Sequence, residues 1–294
     1  WAAFRPLRHR SFALVWTGAL VSNVGTWMET VGVGDLVANR TGQAGWTAAV
    51  AAAGFLPMGL LGPVGGAIAD RVDRRRFLVI TTLLQTGIAA TLTTLSATGR
   101  ASPGAVVAVV FAAGCVAGVG FPAYMSMIPD LVPREDLLGA VALSQAQFNL
   151  GRVVGPALAG IAIAAGSYTW AFAINTASFG AMLIAFGLLR LPPRVPEGDE
   201  ASLWRRILVG ARAARGEPGV RAAILLISIV ALTASPFIAL IPAMARVRHG
   251  GGPGLTSTFV TAQGIGAVAG AMVVPALAAR FGRHRVLMLG LVAL

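Results

Sequence analysis

A carboxylate within the first apolar segment is the residue best placed to do chemistry. Ser22, Thr26 and Glu29 fall at i, i+4 and i+7, so they form one polar stripe along a helix that is otherwise apolar. An ionisable side chain among apolar residues is costly and marks a functional site. We predict that Glu29 lies in a central cavity as a proton-coupling or substrate-cation site, with Asp35 at the rim near the outer end of the same helix.

A guanidinium lies deep in another apolar segment. Arg152 comes 15 residues, or roughly 20 Å of helix, after Leu137. A charge at that depth should face the bundle interior, an aqueous cavity or an acid, and Glu29 is the acid we predict as its partner. Movement of the carboxylate toward and away from the guanidinium would load and release a proton. The alternative, that Arg152 packs structurally and touches no substrate, stays open.

Small residues surround that arginine. Gly151 and Gly155 have the small-xxx-small spacing that lets two membrane helices approach closely, and Gly160 follows on the same segment. Pro156 removes a backbone donor and loosens the helix. We therefore predict a close-packed, deformable helix around Arg152.

A short basic turn separates the second and third apolar segments. It runs from Asp70 to Arg76 and contains four arginines and two aspartates, which cannot lie in hydrocarbon. The small residues Gly62, Gly66 and Ala69 precede it at helical spacing and would let helices approach closely. The sequence therefore predicts a tight aqueous turn between packed helices.

The composition is that of a membrane protein. Hydrophobic residues make up 56% of the chain and charged residues only 12%, against about 25% charged in soluble domains. The net charge of +12 is spread over short loops, which argues against nucleic-acid binding. The single cysteine, Cys115, excludes a disulfide framework and a cysteine metal site. The chain has no phosphate loop and no metalloenzyme motif, so we predict neither an enzyme nor a bound metal or cofactor.

Eight segments meet the requirement of about 20 mostly apolar residues for a spanning helix. A ninth begins at Val286 and the chain stops within it, while the first residue is Trp1 rather than Met, so we interpret the sequence as a fragment. The eight predicted segments are Phe12–Ala38, Trp46–Ala69, Phe77–Ala97, Val106–Met127, Leu137–Ala165, Trp170–Leu189, Ala222–Ala245 and Thr256–Ala279.

The arginines predict which way these helices cross the membrane. Short cytoplasmic loops retain positive charge, and most of the arginines fall in loops on one side. Apart from Arg152 within a helix, the arginines on the opposite side are only Arg40, Arg100, Arg246 and Arg248. The amino terminus is therefore predicted to be cytoplasmic, in a plasma (inner) membrane.

The chain divides into three predicted parts. Residues 1–190 hold six spans, residues 191–221 form a proline-rich linker with an amphipathic segment, and residues 222–294 begin a second set of spans. The amphipathic segment could lie on the inner membrane surface or form a solvated connector helix. The basic turn at 70–76 recurs at 279–285, as expected of two related halves.

The basic turn resembles the signature loop of the major facilitator superfamily, Gly-x-Leu-Ala-Asp-Arg-x-Gly-Arg-Arg. Asp73 stands where the superfamily usually has Gly. The resemblance implies an all-α polytopic membrane protein of two six-helix halves, here truncated in the ninth helix. It also implies that Asp70 and Arg71 act as a gate that holds the outward-facing state. The residues that match the signature are Gly66, Asp70, Arg71, Arg74 and Arg75.

Other segments resemble particular branches of that superfamily. The run Gly151–Gly160 is similar to the fifth-helix signature of drug-exporting antiporters, with Ala159 in place of one Gly. The runs Phe4–Arg8, Ser22–Met28 and Pro129–Asp136 resemble enterobactin-type siderophore exporters. The fourth segment lacks the arginine that such exporters often carry there, a role that would fall to Arg152.

These features predict a secondary transporter that exports a small molecule, drug or siderophore-like, by proton antiport and alternating access. Its expected partners are the small-molecule substrate, protons and the lipid bilayer. A lipid or metabolite carrier of the same fold is the alternative. A non-transporting receptor or scaffold would explain neither the repeated turns nor the charges within the apolar segments. The sequence does not identify the substrate.

Overall fold

The computed structural model describes most of the first part of the chain and portions of the rest. Asp70, most of the predicted linker and most of its amphipathic segment lie outside the described residues. Where the structure describes the chain, it is helical with turns and contains no strand, which confirms the all-α class. The described residues are 2–69, 71–189, 215–233 and 280–292, with 212, 241, 244–245, 255, 258–259, 261–263, 265–266 and 277 between them.

Helices occupy all six places predicted in the first part of the chain. A 3-10 helix, Ala2–Arg8, precedes them, and two 3-10 turns, Ile128–Asp130 and Arg134–Asp136, join the fourth to the fifth. Two further helices are described later in the chain, α7 (Pro218–Thr233) and α8 (Arg283–Val292). The first six are α1 (Arg10–Thr41), α2 (Ala44–Ala69), α3 (Arg74–Ala97), α4 (Pro103–Met127), α5 (Leu137–Ala164) and α6 (Tyr168–Leu188).

Four of the described helices are long and apolar enough to cross a membrane: α2, α3, α6, and α4 together with the 3-10 turn that follows it. The helices α1 and α5 also exceed the length of about 20 residues that a bilayer requires. They differ in carrying ionisable side chains away from the helix ends, Glu29 and Asp35 in α1 and Arg152 in α5, none of which is exposed. These ionisable side chains therefore face the interior of the protein rather than the lipid.

Five of these helices form a closed ring. α1 contacts α6, α6 contacts α3, α3 contacts α4, α4 contacts α2, and α2 returns to α1. α5 lies outside this ring and packs mainly on α1. As a result, α1 is the helix that faces both the interior of the ring and α5.

Two buried apolar clusters fill the two ends of the ring. One gathers around Phe12, Met127 and Phe186, at the end where α1 begins. The other gathers around Leu36 and Phe172, at the opposite end. Because lipid is as apolar as these side chains, van der Waals packing rather than removal from water stabilises the helix contacts there.

Glycines spaced seven residues apart bring α1 against α6. A Cβ added at Gly18 would lie 3.0 Å from the carbonyl oxygen of Ala181, and one added at Gly25 would lie 2.9 Å from the Asn175 Cα. Gly32, one heptad further along, faces the Phe172 ring at 3.0 Å. The bare backbone of α1 thus allows direct contact with α6 at the level of Asn175.

The close approach of α2 to α4 depends on a different glycine from the ones predicted. A Cβ at Gly65 would lie 2.5 Å from the carbonyl oxygen and 2.8 Å from the carbonyl carbon of Val119. Among the described residues, the nearest atom to a Cβ at Gly66 is 3.9 Å away, and none lies within 4 Å at Gly62. In this part of the chain the close approach to α4 is therefore made at Gly65, because α2 presents the face of Gly65 to α4.

We expect Gly65→Ala to destabilise the protein. The new methyl group would meet backbone atoms of α4, which cannot swing aside as a side chain can, and overpacking of this kind costs about 1–3 kcal/mol. Gly62→Ala is the matched control in the same helix, where alanine should leave the melting temperature unchanged or raise it. Thermal unfolding of both variants in detergent measures the difference. Equal melting temperatures would contradict the contact.

Candidate functional site

The five helices of the ring line a partly open cavity of 330 Å³ at about the middle of the bundle. Its wall is mostly apolar and is built from α1, α2, α3, α4 and α6. Glu29 is the one ionisable residue among the described residues that line it. Glu29 thus borders a cavity inside the first set of six helices, and its role in a central cavity stays a prediction.

Asn175 of α6 holds the Glu29 carboxylate. Its Nδ2 donates a hydrogen bond of 2.7 Å to Glu29 Oε2, and Asn175 is only 1% exposed. The Ser178 hydroxyl donates to the Asn175 carbonyl oxygen at 2.7 Å and lies 3.4 Å from Oδ1, so the amide oxygen is directed toward Ser178 and the amide nitrogen toward Glu29. Our sequence reasoning missed Asn175, although it is the one amide in the sixth apolar segment.

Other polar side chains line the same cavity. Thr26 and Thr30 of α1 donate their hydroxyl hydrogens to carbonyls of their own helix, four residues earlier. Gln85 of α3 donates to the Ala113 carbonyl at 3.0 Å. Two residues of the predicted polar stripe, Thr26 and Glu29, line the cavity. The third, Ser22, is buried one turn earlier on α1 and does not line it.

Arg152 lies on the other side of α1, away from this carboxylate. Its Nη2 donates a hydrogen bond of 2.8 Å to Gln263 Oε1, and its guanidinium carbon lies 5.2 Å from the centre of the Trp27 ring. Phe148 packs edge-on against the same ring, with centroids 6.0 Å apart. We call these side chains the Arg152 cluster.

The predicted pairing of Arg152 with Glu29 is not found. Trp27 and Glu29 are two residues apart on α1, which places them about 200° apart around the helix. Trp27 contacts Arg152, and Glu29 bonds to Asn175. The two charges therefore lie on different faces of α1.

Glycines let α5 approach α1 closely, as predicted. A Cβ at Gly155 would lie 2.5 Å from the Trp27 Cβ, and one at Gly151 would lie 2.9 Å from Asn23 Nδ2. Pro156 is buried, and Gly160 is half-buried. This close contact places the Arg152 side chain directly over Trp27.

Asp35 does not lie exposed at a rim. It is 1% exposed, and the Tyr168 hydroxyl donates to its Oδ2 at 2.6 Å. The Asn39 amide donates to the same tyrosine oxygen at 3.0 Å. Asp35 therefore belongs to a buried polar network that ties the end of α1 to the start of α6, and it does not line the cavity.

The basic turn fastens α3 to its neighbours. Asp73 caps α3 by accepting a hydrogen bond of 2.7 Å from the Arg76 backbone nitrogen. Arg74 forms a 2.9 Å salt bridge with Asp130 and is 9% exposed. Arg75 donates to the Phe186 carbonyl at 2.7 Å, at the end of α6. Two of the matched signature arginines thus hold the start of α3 against the ends of α4 and α6.

The repeat of this turn is visible in the helix boundaries. α3 begins at Arg74 and α8 begins at Arg283, which are aligned positions of the two copies. The preceding residue in the second copy, Gly282, has a left-handed backbone with φ of 86°, whereas its counterpart Asp73 has φ of −59°. The aspartate therefore replaces the usual glycine by capping the helix rather than by adopting the glycine conformation.

An acidic residue fastens the amino terminus on the same side. Asp136, which is 7% exposed, accepts a 2.8 Å hydrogen bond from His9 Nε2 and lies 3.1 Å from Arg5 Nε. The 3-10 helix Ala2–Arg8 is thereby tied to the start of α5. The arginine-rich side of the bundle is thus cross-linked by charge at both the basic turn and the amino terminus.

A family model described as transmembrane secretion effector matches residues 1–294, the whole chain. The chain belongs to this family of the major facilitator superfamily. The match confirms the resemblance carried by the basic turn and the fifth helix. It also identifies the chain as an integral membrane protein, in agreement with its apolar helices.

Two proteins with similar sequences carry names that describe export. Macrolide efflux protein A of Streptococcus pyogenes is 24% identical over 245 residues, covering 82% of this chain and 60% of the relative. Enterobactin exporter EntS of Salmonella choleraesuis is 29% identical over 245 residues, covering 81% and 57%. The chain thus spans about 60% or less of the length of these curated relatives.

Proposed function

We propose that the protein exports a small molecule by proton antiport, with Glu29 as the proton-binding group. The observation that carries the proposal is the cavity in which Glu29 is the one ionisable lining residue among those described. A carboxylate in apolar surroundings without a paired cation favours its neutral, protonated form. Exposure of the same group to water on the other side would release the proton. Such a change of environment is what alternating access provides.

The cargo contact in this proposal is the Arg152 cluster. Arg152 and Phe148 lie on α5, outside the ring, and Arg152 bonds to Gln263 from the later part of the chain. A site shared by the two predicted halves would change shape as they rock. The efflux relatives support a small-molecule cargo, of which macrolides and catechol siderophores are the first to try.

The proposal includes an orientation and a gate. The amino terminus and the basic turn face the cytoplasm of a plasma (inner) membrane, as the arginine distribution predicts. Gly66, Asp70, Arg71, Arg74 and Arg75 form the gating loop. The bonds of Arg74 and Arg75 to the ends of α4 and α6 support this role, because they join helices that must move as one body.

The test uses the full-length protein in inside-out membrane vesicles. Uptake of a macrolide, a catechol siderophore and a panel of dyes is followed with and without an imposed pH gradient. We expect uptake of at least one cargo to depend on the gradient and to stop when an ionophore dissipates it. Gradient-independent movement of lipids or metabolites, with no gradient-driven cargo, would favour the alternative carrier and refute proton antiport.

A further inference from the structure

We propose that the cavity within the first six helices is a water-holding chamber that carries protons to Glu29, with Thr47 and Asn175 as its positioning residues. This inference rests on the proposed proton antiport. It adds that the proton route runs through the interior of one helix ring, apart from the Arg152 cluster where the cargo binds.

The first observation is an unsatisfied hydroxyl in the wall of the chamber. Thr47 lines the cavity, is 2% exposed, and its Oγ1 has no hydrogen-bond partner among the described residues. Thr26 and Thr30, in the same wall, donate to carbonyls of their own helix. Buried polar groups are nearly always hydrogen-bonded, to protein or to ordered water. The Thr47 hydroxyl therefore requires a hydrogen-bond partner inside the cavity.

The second observation is that the cavity is large and polar enough for water. A cavity needs about 10–15 Å³ to hold one water, which must find 2–4 polar partners. The volume of 330 Å³ exceeds that requirement many times over. Glu29, Thr47, Gln85 and Asn175 supply polar groups from four different helices. A chain of waters can therefore link the Thr47 hydroxyl to the carboxylate.

The third observation is the electrostatic isolation of the carboxylate. The described lining residues from α2, α3, α4 and α6 include no charged or titratable side chain. On the side of α5, Arg152 is separated from the chamber by the Trp27 ring. No side-chain relay therefore leads to Glu29 through the described lining residues, and water is the carrier that fits.

The position of the chamber agrees with this role. Its lining residues on α1 lie between positions 26 and 34, and those on α2 lie between 47 and 58. Both sets run from the middle of the bundle toward the end opposite the 3-10 helix Ala2–Arg8. In the predicted orientation this end faces outward, where protons enter during export driven by an inward proton gradient.

Asn175 and Thr47 have different tasks in the chamber. Asn175 donates to one carboxylate oxygen and keeps the side chain of Glu29 in one position. Thr47 anchors water at the wall that belongs to α2.

Hydroxyl-radical footprinting of the purified protein tests the water itself, without any transport assay. Met58 lines the chamber, whereas Met127 is 0% exposed within an apolar cluster. We expect rapid oxidation of Met58, slow oxidation of Met127, and slower oxidation of Met58 when Ala51→Leu fills the chamber. Oxidation of Met58 that is as slow as that of Met127, or unaffected by Ala51→Leu, would overturn the proposal.

Transport by reconstituted full-length protein tests the proton route. We expect Thr47→Val to slow gradient-driven uptake about 3- to 10-fold and to reduce its response to external proton concentration, with cargo exchange in the absence of a gradient unchanged. Thr86→Val is the matched control, because that hydroxyl donates to the Thr82 carbonyl of its own helix and does not line the cavity. It should behave as the wild type.

The footprinting and transport assays together distinguish failure of the water-chamber inference from failure of the proposed proton antiport. If Thr47→Val and Ala51→Leu weaken cargo binding as much as they slow driven uptake, the cavity holds cargo and the inference is wrong. Unchanged driven uptake in Thr47→Val would also overturn it. If the wild type moves cargo without regard to the gradient, proton antiport itself fails, while the footprinting still decides whether the chamber holds water.

Discussion

Replacing Glu29 by glutamine should abolish gradient-driven efflux while leaving the protein folded. Glutamine has the same size and can still accept the Asn175 hydrogen bond, so the contact between α1 and α6 remains. It cannot bind and release a proton. We expect gradient-driven uptake to fall by about 100-fold or more, the scale on which essential proton-transfer groups act. Exchange of cargo without a gradient should continue, because it requires no net proton movement.

The measurement compares driven uptake and exchange in the same vesicles. Glu135→Gln is the control, since Glu135 is an exposed acid in the 3-10 turn before α5. Its variant should match the wild type in both assays. Driven uptake that persists in Glu29→Gln would show that another group carries the proton.

Removing the carboxylate of Asp130 should cause a large loss of stability. Its partner Arg74 is 9% exposed and also donates to the Ser126 carbonyl at 2.9 Å. Breaking a fully buried ion pair from one side costs about 3–5 kcal/mol, but Asp130 is 32% exposed, so water screens this pair. We expect Asp130→Ala to cost about 1.5–3 kcal/mol, the contribution of a hydrogen bond to a charged group.

Thermal unfolding in detergent measures this effect, with Glu135→Ala as the matched acid-to-alanine control on the same connection. A double-mutant cycle with Arg74→Met separates the pair from its surroundings. If the loss of stability in the double variant equals the sum of the losses in Asp130→Ala and Arg74→Met, the two residues do not interact. A strong coupling would establish the pair as the joint between the basic turn and the end of α4.

The helices could be predicted because their causes are local. An apolar run of bilayer length has few alternatives to a helix, and all six predicted places in the first part of the chain are helical. The glycine contact of α2 could not be placed in the same way. Gly62, Gly65 and Gly66 lie on neighbouring faces of one helix, so the sequence alone does not tell which of them faces α4.

The site was predicted in part. The interior position of Glu29 follows from the cost of a charge in hydrocarbon, a property of the residue itself. The hydrogen-bond partner of Glu29 could not be predicted in this way. The sequence does not give the rotation of each helix about its own axis, so it does not show whether opposite charges on two helices face each other. Here Trp27 occupies the face of α1 toward Arg152, and a neutral amide, Asn175, takes the carboxylate. The position of Asn175 depends on how α6 packs, which is a tertiary property.

The sharing of α1 between two neighbours has a mechanical consequence. Trp27 and Glu29 belong to one continuous helix, whose backbone hydrogen bonds make it stiff against twisting. A rotation of α1 that shifts Trp27 across α5 must therefore sweep Glu29 past Asn175 through the same angle. Rotation of α1 at the Arg152 cluster therefore moves the Glu29 carboxylate directly, without a chain of moving side chains between the two sites.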